Sequence, residues 1–250
     1  MTEHILTENP DTAPNVRVIR FNRPDKKNAI TRAMYAAMTD ALQAASADAC
    51  VHVVVFLGQP GCFSAGNDMA DFLAFAREGA MGSEVLDFLT ALATFDKPLV
   101  SGVDGLAIGI GTTIHLHCDL TLASERSVFR TPFVDLALVP EAASSLLVPR
   151  RMGHQRAFAL LAAGEALTAA EACRDGLIWR VTSPEALEAE TLAVALKLAA
   201  KPQGALRIAR NLLRGPREDI LERIAEEATH FEAQLRSAEA RAAFEAFLKR

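Results

Sequence analysis

Two glycine-bearing turns in this chain have the make-up of hydrogen-bond donor platforms. The first is Gly61-Cys62-Phe63-Ser64-Ala65-Gly66-Asn67-Asp68-Met69-Ala70-Asp71, which follows the apolar run Val51 to Leu57. A β-branched run closed by Gly58, Pro60 and Gly61 reads as a buried strand ending in a tight loop. Gly66 lets the backbone turn where a side chain would clash, and this frees the amide of Asn67 to face a ligand. The second is Val103-Asp104-Gly105-Leu106-Ala107-Ile108-Gly109-Ile110-Gly111-Thr112, which follows the apolar run Pro98 to Val103. It reads as strand, glycine turn and helix start, where free N–H groups and the positive end of a helix dipole gather. Two such turns face to face would make an oxyanion hole, worth roughly 3 to 4 kcal/mol per donor when charge develops on a carbonyl oxygen.

Other chemistries fit less well. Gly109-x-Gly111 lacks the third glycine of a dinucleotide fingerprint and no P-loop lysine follows it. Ser64 stands in F-S-A-G, which is not a nucleophile elbow. His115 and His117 are one residue apart, on different sides of a helix, and read as packing or surface residues with no metal.

The elements that must hold these turns follow from periodicity. Val16 to Phe21 alternates as a half-exposed strand after a loose lead-in from Thr2 to Asn15. Thr31 is a candidate N-cap for a helix running through Ala47, with Met34, Met38 and Leu42 on one face. Helices are expected between Asp68 and Thr94, and strands at Cys118 to Ala123 and Val128 to Arg130. From Glu141 onward the pattern is helical apart from Leu177 to Val181. Pro202 and Gly215-Pro216 punctuate the C-terminal helices. There an apolar stripe of Ile220, Leu221, Ile224, Ala228, Phe231, Leu235, Ala238, Phe244 and Phe247 needs a surface to bury against. Strands alternating with helices make this an α/β chain with parallel units. Periodicity alone leaves a doubly wound sheet and a spiral of ββα turns equally open.

The ordered set Arg23-Pro24-Asp25-Lys26-Lys27-Asn28-Ala29, F-S-A-G-N-D, D-G-x-A-x-G-x-G, Thr131-Pro132-Phe133 and Leu136-Ala137-Leu138-Val139-Pro140-Glu141 resembles the enoyl-CoA hydratase/isomerase (crotonase) family, over about residues 15 to 215. The resemblance implies a spiral of repeated ββα units over residues 1–200. It also implies a C-terminal helical region, residues 201–250, that covers the site and builds a homotrimer or dimer of trimers. The implied substrate is an acyl-CoA thioester, with CoA part of the substrate and no separate cofactor. Ala29, Ser64, Ala65, Gly66 and Asp68 would lie along the substrate, Lys26 would reach a phosphate, and Gly109 and Phe133 would border the acyl group.

The acids bear on which reaction is implied. Hydratases of the family hold water with two glutamates, and the matching positions here are Thr113 and Phe133, neither of which exchanges a proton at neutral pH. The run F-x-T-P-F-x-x-L-x-L-V-P-E-x-x-S-S is instead similar to the peroxisomal-type Δ3,Δ2-enoyl-CoA isomerases, in which the acid at Glu141 is the base. Apolar neighbours would desolvate that carboxyl and raise its pKa. The implied catalytic set is Glu141 as base, with the amides of Asn67 and Ile110 as oxyanion donors. The alternatives are a hydratase, or another thioester reaction such as hydrolysis or decarboxylation, with Asp135 as the nearest spare acid. A third is a non-enzymatic RNA-binding or scaffold paralogue.

Composition bounds these readings. At 250 residues, half of them hydrophobic, the chain can bury one substantial core. A net charge of −5 argues against nucleic acid or an anionic membrane as partner. The four scattered cysteines, the polar start Met1-Thr2-Glu3-His4 and the absence of a membrane-length apolar run read as a soluble cytoplasmic protein with reduced thiols. The end, Phe247-Leu248-Lys249-Arg250, is not a peroxisomal address.

Overall fold

Each pass of the chain lays one strand in each of two sheets. The structure, a computed structural model, describes residues 3–71, 73 and 82–248. Strands β1 (Ile5–Glu8) and β2 (Val16–Phe21) and helix α1 (Arg32–Ala47) precede the first full pass, β3 (Val53–Leu57), β4 (Cys62–Ser64) and α2 (Ser83–Thr94). The second pass is β5 (Leu99–Val103), β6 (Leu106–Ile108) and the single turn α3 (Ile110–Thr113); the third opens with β7 (Leu120–Ser124) and β8 (Val128–Arg130). Then come α4 (Ser144–Met152), α5 (His154–Leu161), β9 (Leu167–Thr168), α6 (Ala169–Arg174), β10 (Arg180–Thr182) and α7 (Leu187–Ala199). The chain ends in α8 (Gln203–Arg214), α9 (Arg217–Leu235) and α10 (Ala238–Leu248).

The six-stranded sheet has the order β1-β2-β3-β5-β7-β10 and the four-stranded sheet the order β4-β6-β8-β9. Strands β3, β5 and β7 add side by side in parallel, and β4, β6 and β8 do the same in the other sheet. This regular advance of one strand per sheet per pass is the ββα spiral, and it excludes a single doubly wound sheet.

Burial of β3 on both faces explains its unbroken apolar sequence. Val54 and Phe56 join the large cluster with Met34, Met38 and Leu42 of α1 and Leu89 and Leu92 of α2. Val53, Val55 and Leu57 face the other way, onto Leu187, Val194 and Ala195 of α7. Each fully buried side chain of this size stabilises the fold by roughly 1.5–3 kcal/mol. Helix α1 starts where expected, with the Thr31 hydroxyl accepting from the Met34 amide at 3.3 Å.

Several boundaries differ from expectation. The lead-in is partly ordered, because β1 pairs antiparallel with β2 from Ile5 to Glu8; only Ile5 of it is buried, which is too short a pattern to read. Strand β7 begins at Leu120, since Asp119 brackets the start of β5 through Leu99 instead. Leu177 and Ile178 are buried in a turn whose amides bond to Ala172, so the strand there is only Arg180–Thr182. The C-terminal stripe buries Ile220, Ile224, Ala228, Phe231, Leu235 and Phe244, whereas Ala238 is exposed and Ala240 is buried in its stead. The helices expected between Asp68 and Thr94 fall partly outside the described residues, as does the side chain of Phe247. Among the described residues no helix is long and apolar enough to cross a membrane.

Candidate active site

The two donor turns pack against each other because glycine stands where they touch. A Cβ on Gly66, whose φ is +90°, would come within 2.9 Å of the Ile108 carbonyl oxygen, and a Cβ on Gly111 within 2.9 Å of the Ser64 carbonyl oxygen. Gly66→Ala therefore adds strain to a clash with backbone that cannot swing away. We expect it to lower stability by about 1–3 kcal/mol, read as a fall in the denaturant midpoint, and to suppress activity.

The first turn is clamped so that one amide is left over. Ile30 donates its amide to the Gly66 carbonyl at 2.8 Å, and Asp68 donates to the Ile30 carbonyl at 2.9 Å. The amide of Asn67 between them donates to no acceptor among the described residues. Ser64 is fully buried; its hydroxyl donates to the Asn28 carbonyl at 2.9 Å and accepts from the Gly66 amide at 3.1 Å. Asn28, itself left-handed at φ 53°, accepts from the Arg23 amide and donates to the carbonyls of Cys62 and Phe63. Arg23 ties the first motif to the donor loop through Asp68 at 2.6 Å.

In the second turn Gly109, at φ 56°, caps α3, and Thr112 and Thr113 donate back to its carbonyl. Ile110, as the first helical residue, has no intrahelical acceptor, and its amide too makes no bond among the described residues.

Gly66 and Asn67 from one turn, and Ile108 and Gly109 from the other, wall a cavity of about 140 Å³ that is otherwise apolar, with Met69, Phe133, Leu138 and Phe231 among its lining. Ligand pockets usually exceed roughly 300 Å³, so this one suits a narrow apolar group and not a large ligand. Ala65 also borders it, while Ser64 does not reach it. Ala29 is half-buried and Lys26 exposed in the turn Pro24–Lys26.

Glu141 is 6% exposed and does not line the cavity; its nearest tie to the lining is Tyr35, which bonds Asn67 and feels the Glu141 charge. The Thr113 hydroxyl donates to its Oε1 at 2.5 Å. Burial pushes its carboxyl up to about 8; the Thr113 bond opposes this and the Glu227 carboxylate adds to it. Asp135 is half-exposed, paired with Arg130 at 2.9 Å, and does not line the cavity. His115 and His117 are fully buried, and burial holds both down to about 3, so both are neutral. His115 contacts the Ser101 hydroxyl through Nδ1, and His117 donates from Nε2 to the Ala142 carbonyl at 2.9 Å.

Two residues at the site escaped the sequence reading. Tyr35 of α1 donates its hydroxyl to Asn67 Oδ1 at 2.5 Å. Burial and the nearby Glu141 push its phenol well above the ordinary value, so it remains a donor. Its signal was a phenol beside the apolar stripe of α1, a polar atom that burial obliges to find a partner. Glu227 stands on the apolar face of α9 between Ile224 and Phe231, where a charge is out of place unless something holds it.

An unpaired amide at Asn67 in the cavity wall, a second at Ile110 next to the lining Gly109, and a buried carboxyl at Glu141 are the groups that proton transfer next to a carbonyl requires when its oxygen becomes an anion. A sequence profile for enoyl-CoA hydratase/isomerase matches residues 11–250, and the chain belongs to that family. It is 39% identical over 214 residues to "Enoyl-CoA delta isomerase 2" of Rattus norvegicus, covering 84% of this chain and 54% of the rat protein. It thus spans little more than half the length of that relative. It is 32% identical over 189 residues to a "Probable enoyl-CoA hydratase" of Rhizobium meliloti, covering 76% of this chain and 74% of that one. The solved structure of OdaA from Pseudomonas aeruginosa superposes with a TM-score of 0.94 at 37% identity and 100% coverage of both chains.

Proposed function

We propose that the protein moves the double bond of a 3-enoyl-CoA to the 2-position. Ionised Glu141 takes a proton from C2 of the thioester. The electron pair runs into the carbonyl, and the dienolate oxygen accepts hydrogen bonds from the amides of Asn67 and Ile110. The carboxyl, now protonated, returns the proton at C4, and the double bond is left between C2 and C3. One acid serves both transfers, whereas adding water requires a second group to hold it. General base action adds roughly 10²- to 10⁴-fold, and the two donors supply several kcal/mol more.

The observation that carries this reading is the setting of Glu141. Its carboxyl is bound to Thr113, the position at which hydratases of the resemblance carry an acid, and Phe133 fills the other such position in the cavity wall. The delta isomerase relatives point the same way. CoA enters as part of the substrate, with Lys26 as a point charge for one of its phosphates and Ala29, Ala65 and Gly66 along its arm. The region 201–250 would cover the site through Phe231 of α9 and join copies of the chain through α8, whose Ile208, Leu212 and Leu213 are 62%, 79% and 89% exposed.

The test is a pair of assays on one preparation, 3-hexenoyl-CoA followed for isomerisation and crotonyl-CoA for hydration. Isomerisation should be the faster by at least about 10²-fold, the contribution of a missing catalytic acid. Hydration at an equal or higher rate favours the hydratase that the Rhizobium relative is named for, and sinks the isomerase reading.

A further inference from the structure

The loop that carries Glu141 closes one turn of its own, the Ser144 amide donating to the Glu141 carbonyl at 3.1 Å, and takes its other bonds from elsewhere in the fold. Ala142 and Ala143 follow with φ of 61° and 56°, two consecutive left-handed residues that are not glycine. Ala143 is also the N-cap of α4 and has no side chain that can cap it. The missing acceptor comes from Glu227 on α9. Its Oε2 accepts from the Ala143 amide at 2.6 Å, and its Oε1 accepts from the Ser145 amide at 2.9 Å and the Ser145 hydroxyl at 2.6 Å. Arg223, one turn earlier on α9, donates to the same hydroxyl at 3.2 Å. From the opposite side His117 donates to the Ala142 carbonyl. A buried carboxylate thus fixes Ala143 and Ser145, two and four residues beyond the base, and its charge lies close enough to act on the base itself.

We propose that Glu227 is a positioning residue for Glu141: its bonds to Ala143 and Ser145 aim the base at the substrate carbon. This rests on the reaction proposed above. Burial raises the Glu227 carboxyl too, but three donors oppose it there against one at Glu141, so Glu227 ionises first and resists the second ionisation. The other groups around the pair are neutral or already engaged. Tyr35 on α1 and His117 after α3 carry no charge, Glu84 on α2 is held by Arg32, and Asp219 on α9 is paired with Arg150 of α4. Arg223, which also pairs with Glu226 at 3.0 Å, is the positive charge that favours ionised Glu227.

Glu227→Gln keeps the size of the side chain, removes the charge and spoils one of the two amide contacts. We expect kcat on 3-hexenoyl-CoA to fall by roughly 10- to 100-fold with KM nearly unchanged. The rising limb of the pH–rate profile should move to lower pH by about half a unit or more as the like charge disappears. Arg223→Gln, at a more exposed position, should move the same limb to higher pH. A helix cap with no tie to the base would lower the melting temperature of Glu227→Gln and leave the limb in place, and that result overturns the proposal, as does an unmoved limb in Arg223→Gln should the first variant fail to fold. If the parent protein itself does not turn over 3-hexenoyl-CoA, the reaction is misassigned, and the pH dependence of thermal unfolding in the same variants then reports the Glu141 ionisation instead. Equal pH dependence in parent and both variants removes Glu227 from the role.

Discussion

In the Glu141→Gln variant, isomerisation of 3-hexenoyl-CoA falls at least roughly 10²-fold, because the carboxamide cannot carry the proton between C2 and C4. The variant is also expected to be more stable than the parent at neutral and alkaline pH. The Glu141 carboxyl is raised to about 8 in the fold from an ordinary 4.5. Between these values the folded chain binds a proton that the unfolded chain has released, so stability falls as pH rises through this window. By pH 8 the loss is on the order of a few kcal/mol, and glutamine does not incur it. Thermal unfolding of parent and variant from pH 5 to pH 9 should therefore diverge, with the variant melting higher by a growing margin. Parent activity should rise over the same range as the base ionises. A variant within a few-fold of parental activity removes Glu141 from catalysis, and parallel melting curves would show that its carboxyl is not raised.

Ile110→Pro should cost about 3 kcal/mol of transition-state stabilisation, a drop of roughly 10²-fold or more in kcat/KM, through the loss of one N–H. Proline suits this position, since it is the first residue of α3 and its amide has no intrahelical acceptor to lose. The Ile110 side chain is buried in the main core, so some stability is lost along with the donor. Ile110→Val separates the two effects, as it trims the side chain and keeps the amide. The expected pattern is near-parental activity in the valine variant and a deep loss in a folded proline variant. A folded, fully active proline variant would take this amide out of the oxyanion hole.

How much of this was legible in the sequence depended on the range of the interaction. The donor turns could be read because glycine spacing is a local signal: the requirements at Gly66 and Gly109 are backbone requirements of the turn itself. Thr31 and the α1 stripe were equally local. The spiral was not, because residues 53–57 and 62–64 look alike as strands and nothing in either says that they enter different sheets. The position of Glu141 came from resemblance, and its raised carboxyl followed from the apolar residues beside it. The partners that complete its setting, Tyr35 and Glu227, lie far from it in the chain, and only the packing of α1 and α9 brings them to the loop. Asp135 looked like a spare acid because it is near in sequence to Phe133, yet its ion pair with Arg130 holds it elsewhere.

The hydrogen bonds from Ala143 and Ser145 to Glu227 also order events during synthesis. Residue 227 lies 84 residues beyond Ala143, and at about 5–20 residues per second it leaves a ribosome about 4 to 17 seconds later. At the start of that interval strands β1 to β8 and both donor turns have already emerged, while the amide of left-handed Ala143 beside Glu141 still lacks its acceptor. A nascent chain stalled short of α9 would thus carry the Ala143 and Ser145 amides without the carboxylate that accepts from them in the fold.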